Sequence, residues 1–340
     1  MVGSSVVATK RERDLPKILI VLVNWRRGED TIACVRSLAR STLNDVLVSV
    51  CENGSGDVSV EQLRNFFSVD SQMQHPAERT ADYEAVRFLC EDAVKGWLVL
   101  SKKNLGFAGG NNLALKVARQ AERFDYVWFL NNDTEVEPDC LEKMLQRMKS
   151  DPRIGICGST LVYAHDRRTV QCFGGSSANF WTGITREIGN GNEWPCSVDQ
   201  ARVESEMTYV AGASMLVSSA FLEKVGLMTE DYFIFYEELD WAMRARRAGF
   251  RLGYAKDAIV YHKEGASIGT GKAQSRSALA EYYGLRNKLL FTWRFVPWAF
   301  PSVWAISWLQ VARRVLLGRL DRAFLMARTL LGAGAAHRPR

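Results

Sequence analysis

Short apolar runs rich in β-branched and aromatic residues recur along the first 150 residues, and most lead into a stretch with apolar positions at helical spacing. KILIVLVNW (17–25) is nearly all apolar, as a strand covered on both faces has to be. DTIACVRSLARS follows with a helical pattern, and Asp30 stands where a helix cap is expected. DVLVSVCEN (45–53), GWLVLSKKN (96–104), the helical NNLALKVARQAERF (111–124) and YVWFLNND (126–133) continue the alternation, and Pro138 opens a helix in PDCLEKMLQRMKSD. Such alternation predicts βαβ units, hence an α/β fold around a mostly parallel sheet with helices on both faces. Residues 64–95 are polar and weakly patterned and read as an excursion. From about 155 to 262 the spacing is less regular: GICGSTLVY, MTYVAGASMLVS, a helix from Glu237 to Ala248, then FRLGYAKDAIVYH. This second half reads as α+β, and the chain has no internal repeat.

Three of the predicted strands turn polar at their carboxyl ends, at Trp25, at Glu52–Asn53 and at Asn131–Asp133. Ligands of open α/β sheets bind outside those ends. CENGSGD brings Glu52, Asn53, Ser55 and Asp57 together, where a carboxylate can accept from a base imide or a ribose hydroxyl; a tight turn favours the same residue types. NLGFAGGNN (104–112) has glycines at 106, 109 and 110, which fit neither the dinucleotide nor the phosphate-loop spacing. Its glycines let backbone approach a ligand, and Asn111 or Asn112 would open the next helix, whose N-terminus suits an anion. In LNND, Asp133 is the natural ligand for a divalent ion, while Asn131 and Asn132 suit ribose, base or local backbone. FIFYEELDWAMRARRAGF places Glu237, Glu238 and Asp240 in the first turn of a helix, where the dipole favours ionised carboxylates and Asp240 can pair with Arg244. His262 follows the last apolar run, in IVYHKEGAS.

Composition narrows the class. With 47 % apolar and 24 % charged residues the chain is a folded globular protein, long enough for one large domain with an appendage. Seven cysteines are scattered without paired spacing, which fits a reducing compartment and argues against a disulfide scaffold or a zinc site. MVGSSVVATKRERDLPK has no apolar core of a secretory signal and reads as a mobile tail, 1–16. The net charge of +6 is unevenly spread: from Arg286 onward ten Lys and Arg face one acid, so the first 285 residues carry −3. That asymmetry speaks against a nucleic-acid-binding body and for a tail that meets an anionic surface.

The motifs VNW, ENGSGD, NLGFAGGNN, LNNDTEVEPD, VAGASMLVSSAFLEKVG, YFIFYEELDWAMRARRAGF, YHKEGAS and YYGLRN, in that order, resemble the inverting family 2 nucleotide-sugar glycosyltransferases. The likeness is strongest to the bacterial rhamnosyltransferase-type members and runs from about Ile18 to Asn287. It implies a GT-A fold over 17–270, with a nucleotide-sugar half (17–150) and an acceptor and catalytic half (151–270), and a C-terminal helical extension over 271–340. By position it assigns the nucleotide sugar to Asn24, to Glu52, Asn53 and Ser55, to Asn104, Gly106, Phe107, Gly110 and Asn111, and to Asn131 and Asn132. Mg²⁺ or Mn²⁺ falls to Asp133 and His262, and proton abstraction to Glu238, with Glu237 and Asp240 as further candidates. Relatives commonly carry Asp where this chain has Glu52 and Glu238, the change that the alternative, a nucleotide-sugar or glycan-binding protein of the same fold that has lost turnover, would point to. The resemblance implies transfer from dTDP-L-rhamnose or a UDP-sugar to a glycan or polyprenyl-linked acceptor, in surface polysaccharide synthesis. The acceptor would lie on the second half, at Gly212 and Ala213 and near GGSSANFWTG (174–183), where Trp181 can stack on a sugar ring.

The tail is different material. Phe295 to Ala312 carries no charge, contains Trp298, Trp304 and Trp308, and is broken by Pro297 and Pro301. It is slightly short for a bilayer span, and Trp with flanking Arg prefers the interface. An interfacial or re-entrant element, with Arg313, Arg314, Arg319 and Arg322 near anionic head groups, stands beside helices packed on the catalytic body or on a second copy. On the membrane reading the protein is cytoplasmic, at the inner face of the cytoplasmic membrane as a peripheral protein.

Overall fold

A computed structural model describes residues 16–43, 46–67, 80–90, 94–263 and 277–332. The predicted tail is thus almost wholly outside the described residues, as are the end of YHKEGAS and the expected domain border at 270. The first half runs β1 (Ile18–Asn24), α1 (Gly28–Leu38), β2 (Val46–Asn53), α2 (Ser59–Phe66), β3 (Tyr83–Leu89), β4 (Lys95–Ser101), α3 (Gly106–Ala121), β5 (Tyr126–Asn131), β6 (Thr134–Val136) and α4 (Cys140–Ser150). The second half follows as β7 (Ile154–Tyr163), β8 (Val170–Phe173), β9 (Gly175–Asn179), β10 (Ile184–Glu187), α5 (Gln200–Glu206), β11 (Tyr209–Val210), β12 (Ser214–Ser218), α6 (Ser219–Val225), α7 (Glu237–Arg247) and β13 (Arg251–His262). Three helices close the chain: α8 (Ala278–Phe295), α9 (Phe300–Leu316) and α10 (Leu320–Leu330).

The main sheet orders its strands β3-β4-β2-β1-β5-β12-β7-β13-β6, with β8 added to β7. The block β4-β2-β1-β5 is parallel, and β12 joins it to β7 with antiparallel pairing on both of its sides. The nearly all-apolar β1 is covered on both faces, as its composition requires. Ile18, Ile20 and Leu22 enter a core with Cys34, Val35 and Leu38 of α1 and Leu141 and Met144 of α4. Leu19 and Val21 enter the opposite core, with Ala114, Leu115 and Ala118 of α3 and Trp241 of α7. A smaller sheet, β10-β9-β11, brings Ser176, Thr185 and Tyr209 to the same cleft as the carboxyl ends of the parallel strands.

Four details differ from the expectation. α1 begins at Gly28, so Asp30 lies inside its first turn and pairs with Lys263 at 2.6 Å; Asn24 Oδ1 accepts the Arg27 N–H at 3.2 Å instead. α3 begins at Gly106 rather than at Asn111, because Asn104 Oδ1 accepts the Gly106 N–H at 2.8 Å and Gly106 takes φ +76°. Gly109 and Gly110 therefore serve close helix packing: a Cβ on Gly110 would stand 2.9 Å from a Val23 methyl. The excursion at 64–95 contains an edge strand, β3, antiparallel to β4.

The C-terminal helices pack on the body. Phe291 and Phe295 of α8 bury themselves with Tyr232 and Leu239 from the α7 region, and Leu285, Val311, Ala323 and Met326 hold α8, α9 and α10 together. Pro297 falls in a short 3₁₀ turn and Pro301 in the first turn of α9, where a missing N–H costs nothing. No helix among the described residues is long and apolar enough to cross a membrane.

Candidate active site

The carboxyl ends of β1, β2 and β5 open into a cleft of about 780 Å³, within the range of small-molecule sites. Its floor is Trp25, Asn53, Asn104, Gly106, Phe107 and Asn111, followed by Asn131–Asp133. Its far side is Ser176, Tyr209 and Gly212, the loop Phe233–Tyr236 with Glu237 and Glu238, and side chains of α8 to α10.

Asp133 and His262, distant in sequence, meet because β13 pairs with β6 and sets His262 opposite Thr134. Both are buried, and Asp133 Oδ1 stands 3.2 Å from His262 Nε2. Gln171 of β8 places Oε1 2.8 Å from His262 Nδ1, so that nitrogen donates and Nε2 is left with its lone pair toward the carboxylate. Asn131 Nδ2 approaches the same Nε2 at 3.3 Å. Burial raises the Asp133 carboxyl; only when Nε2 carries a proton do the hydrogen bond and charge of His262 outweigh it and hold the group below its ordinary value. Two lone pairs facing at this distance call for a proton or a cation between them. A divalent ion fits: neighbouring ligands on an octahedron with bonds of about 2.1 Å are about 3 Å apart, and Mg²⁺-type ions take one or two protein ligands plus water and phosphate oxygens. Among the described residues no third His, Cys, Asp or Glu joins the pair.

The carboxylates of α7 divide. Glu238 lines the cleft half-buried, and desolvation lifts its carboxyl to about 7. Its side chain lies against Gly212, where there is no room for a Cβ. Glu237 is buried with Oε2 unpartnered; burial first, and the neighbouring Glu238 second, hold it well above the usual carboxylate range. Asp240 does not reach the cleft. It accepts from Thr229 Oγ1 at 3.0 Å, Tyr232 OH at 3.1 Å and Arg244 Nε at 2.6 Å, an anchoring network rather than a base open to substrate. The loop before α7 is strained, with φ of +64°, +65° and +77° at Phe233, Phe235 and Tyr236. Asn287 of α8 clamps it: its Nδ2 donates to the carbonyls of Tyr232 and Ile234, each at 2.7 Å, and of Phe235 at 3.1 Å.

The structure brings Asn53, Asn104, Gly106, Phe107, Asn111, Asn131, Asn132, Gly212 and Ala213 to the cleft and leaves others behind it. Glu52, expected on the base, is buried and accepts the Ser55 N–H at 2.9 Å, closing its own turn. Ser55 in turn accepts from Arg26 N at 2.9 Å, and Asn24 ties β1 to α1 through Thr31. Gly110 packs on Val23 as described. Trp181 is 59 % exposed outside the cleft, and its carbonyl accepts from Ser302 on α9 at 2.7 Å. Gln171, Tyr209 and Lys288 line the cleft without having been singled out from sequence, and Ser176 does so as part of the expected acceptor stretch 174–183. Tyr209 directly precedes the VAGASMLVSSAFLEKVG motif and Lys288 directly follows YYGLRN.

Comparison with known proteins gives a consistent picture. A family described as "Glycosyltransferase like family 2" matches residues 16–284. The N-acetylglucosaminyl-diphospho-decaprenol L-rhamnosyltransferase of Mycobacterium tuberculosis is 24 % identical over 275 residues, 76 % of this chain and 80 % of that protein. The low-salt glycan biosynthesis hexosyltransferase Agl10 of Haloferax volcanii is 21 % identical over 187 residues, 55 % of this chain and 57 % of its own length, so the chain spans little more than half of that relative. Among solved structures, the mannosyltransferase PcManGT from Pyrobaculum calidifontis, in complex with GDP-Man and Mn²⁺, superposes with a TM-score of 0.52 at 14 % identity, covering 95 % of this chain and 81 % of that one.

Proposed function

The chain belongs to the glycosyltransferase-like family 2 and has the GT-A fold with a C-terminal helical extension, and from that premise we propose an inverting, metal-dependent sugar transfer to a lipid-linked or glycan acceptor. The donor is a nucleoside-diphosphate sugar, dTDP-L-rhamnose or a UDP-sugar, lying over the ends of β1, β2 and β5 with Asn53 and Asn104 beside it. Asp133 and His262 would hold Mg²⁺ or Mn²⁺, which neutralises the diphosphate as it leaves. Gln171 fixes the imidazole tautomer that leaves Nε2 available.

Glu238 accepts the proton of an acceptor hydroxyl. That oxygen forms its bond to the anomeric carbon on the face opposite the diphosphate, and the carbon–oxygen bond to phosphate breaks with its electron pair leaving on the nucleoside diphosphate. One displacement inverts the configuration. A carboxyl at about 7 is matched to this duty near neutral pH. Glu237, held protonated beside it, keeps a second negative charge out of the same corner.

The observation that carries this reading is the meeting of the Asp133 carboxylate and the His262 Nε2 at 3.2 Å in the cleft wall. The mycobacterial relative's name supports rhamnose as sugar and a polyprenyl diphosphate as acceptor carrier. The outer faces of α9 and α10 expose Leu309, Leu316, Leu320 and Phe324 beside Arg313, a surface suited to peripheral contact with an anionic membrane. Asp133→Ala tests the proposal: transfer from dTDP-rhamnose and UDP-sugars to a polyprenyl-linked acceptor should vanish while far-UV dichroism is retained. Turnover at the wild-type rate refutes the metal role, and binding without turnover in the wild type marks a non-catalytic relative.

A further inference from the structure

The cleft holds a cation that the proposed reaction does not use. Lys288, midway along α8, is only 6 % exposed and lines the cleft. Its ammonium has one hydrogen-bond partner among the described residues, the neutral Gln310 Oε1 of α9 at 3.4 Å, and no carboxylate. The stem is clamped: Gly183 lies so close, at φ +65°, that a Cβ there would stand 2.6 Å from Lys288 Cδ. Two more cations stand at the same corner. Arg314 of α9 donates to Glu281 Oε1 at 2.6 and 3.2 Å, and Arg322 of α10 lies 3.6 Å from Glu281 Oε2. Both arginines thus turn to Glu281, Arg322 also to Asp321 at 3.4 Å, and neither acid pairs with Lys288. Burial, and Arg314 after it, push the Lys288 ammonium down to about 8, the mark of a charge left without a counter-ion. Such a group is costly in a fold unless a ligand supplies the missing charge.

We propose that Lys288, with Arg314 behind it, binds the phosphate or diphosphate of the acceptor. The helices that bring Gln310, Arg314 and Met326 to the cleft also expose Leu316 (87 %) and Phe324 (64 %) on their outer faces. An amphiphile with an anionic head and a hydrocarbon tail is complementary to that sequence of surfaces: head on Lys288, tail along α9 and α10. The inference rests on the proposed lipid-linked acceptor and names the residue that would recognise it.

The test uses the full chain in mild detergent with EDTA and three probes: geranylgeranyl diphosphate, geranylgeraniol and inorganic pyrophosphate. Titration calorimetry should show the lipid diphosphate bound at least about tenfold more tightly than the alcohol, as a charge-assisted contact implies. Lys288→Met should erase that preference and Lys288→Arg should keep it, with melting temperatures confirming that both fold. UDP and dTDP binding with Mn²⁺ should stay unchanged in Lys288→Met. An undiminished preference in Lys288→Met overturns the assignment. So does a parallel loss of nucleotide affinity, which would move the cation to the donor, or equal affinity for inorganic pyrophosphate, which would make the site one for a free anion. If no nucleotide sugar supports transfer while the Lys288-dependent binding persists, the sugar-transfer reading fails and the anion subsite stands.

Discussion

Replacing Gly212 with alanine probes the placement of Glu238 without touching its chemistry. An added Cβ would stand 3.1 Å from Glu238 Cδ and 3.2 Å from Cγ, and closer still to Oε1. Relief to ordinary contact displaces the carboxylate by about 1 Å, and misplacement of that size costs on the order of 100-fold in rate. Gly212 lies outside the left-handed region, so alanine adds no backbone strain, and any fall in melting temperature reports the displaced Glu238 side chain alone. The assay is single-turnover transfer at saturating donor, which isolates the chemical step from binding. Donor affinity should be unchanged, because Asp133, His262 and the β-strand ends are untouched. A variant that folds, binds donor and turns over within about threefold of wild type, far short of the effect of such a displacement, would show that Glu238 is not the working base.

Gln171→Leu should weaken Mn²⁺ binding in the presence of nucleotide by about 10–100-fold, read by electron paramagnetic resonance, because the imidazole loses the partner that fixes its tautomer. The transfer rate should fall below about pH 7, where Glu238 is protonated and cannot accept a proton, and Glu238→Gln should remove activity across the whole profile. Asn287→Ala should cost about 2 kcal/mol by thermal or urea unfolding, since the Ile234 and Phe235 carbonyls lose their side-chain donor and the Tyr232 carbonyl keeps only the Ile234 N–H; a change under about 0.5 kcal/mol means that the clamp is not structural.

Much of the sheet was legible because its signals are local. The apolar run of β1 needs cover on both faces whatever surrounds it, and the polar residues ending β1, β2 and β5 stand out against such strands. Asp133 and His262 could be singled out separately, but their spacing comes from the β13–β6 pairing. Polar side chains that bond to their own backbone were the hardest to read. Glu52 closes a turn, Asn104 starts α3 a turn and a half early, and Asp240 spends its oxygens on Thr229, Tyr232 and Arg244. A carboxylate or amide in a sequence carries no sign of which partner it will find. Gln171 gave no signal of proximity to the cleft, and Lys288 only its place after YYGLRN, since helices and strands distant in sequence bring them there.

The hold of Asn287 on the Tyr232 carbonyl spans 55 residues. At about 5–20 residues per second, a ribosome takes roughly 3–11 s to make that interval. The segment presenting the two glutamates therefore leaves the exit tunnel well before the amide that secures it. A nascent chain can assemble its parallel strands while the loop before α7 is still unclamped. On the proposed mechanism, competence for transfer waits for the docking of α8.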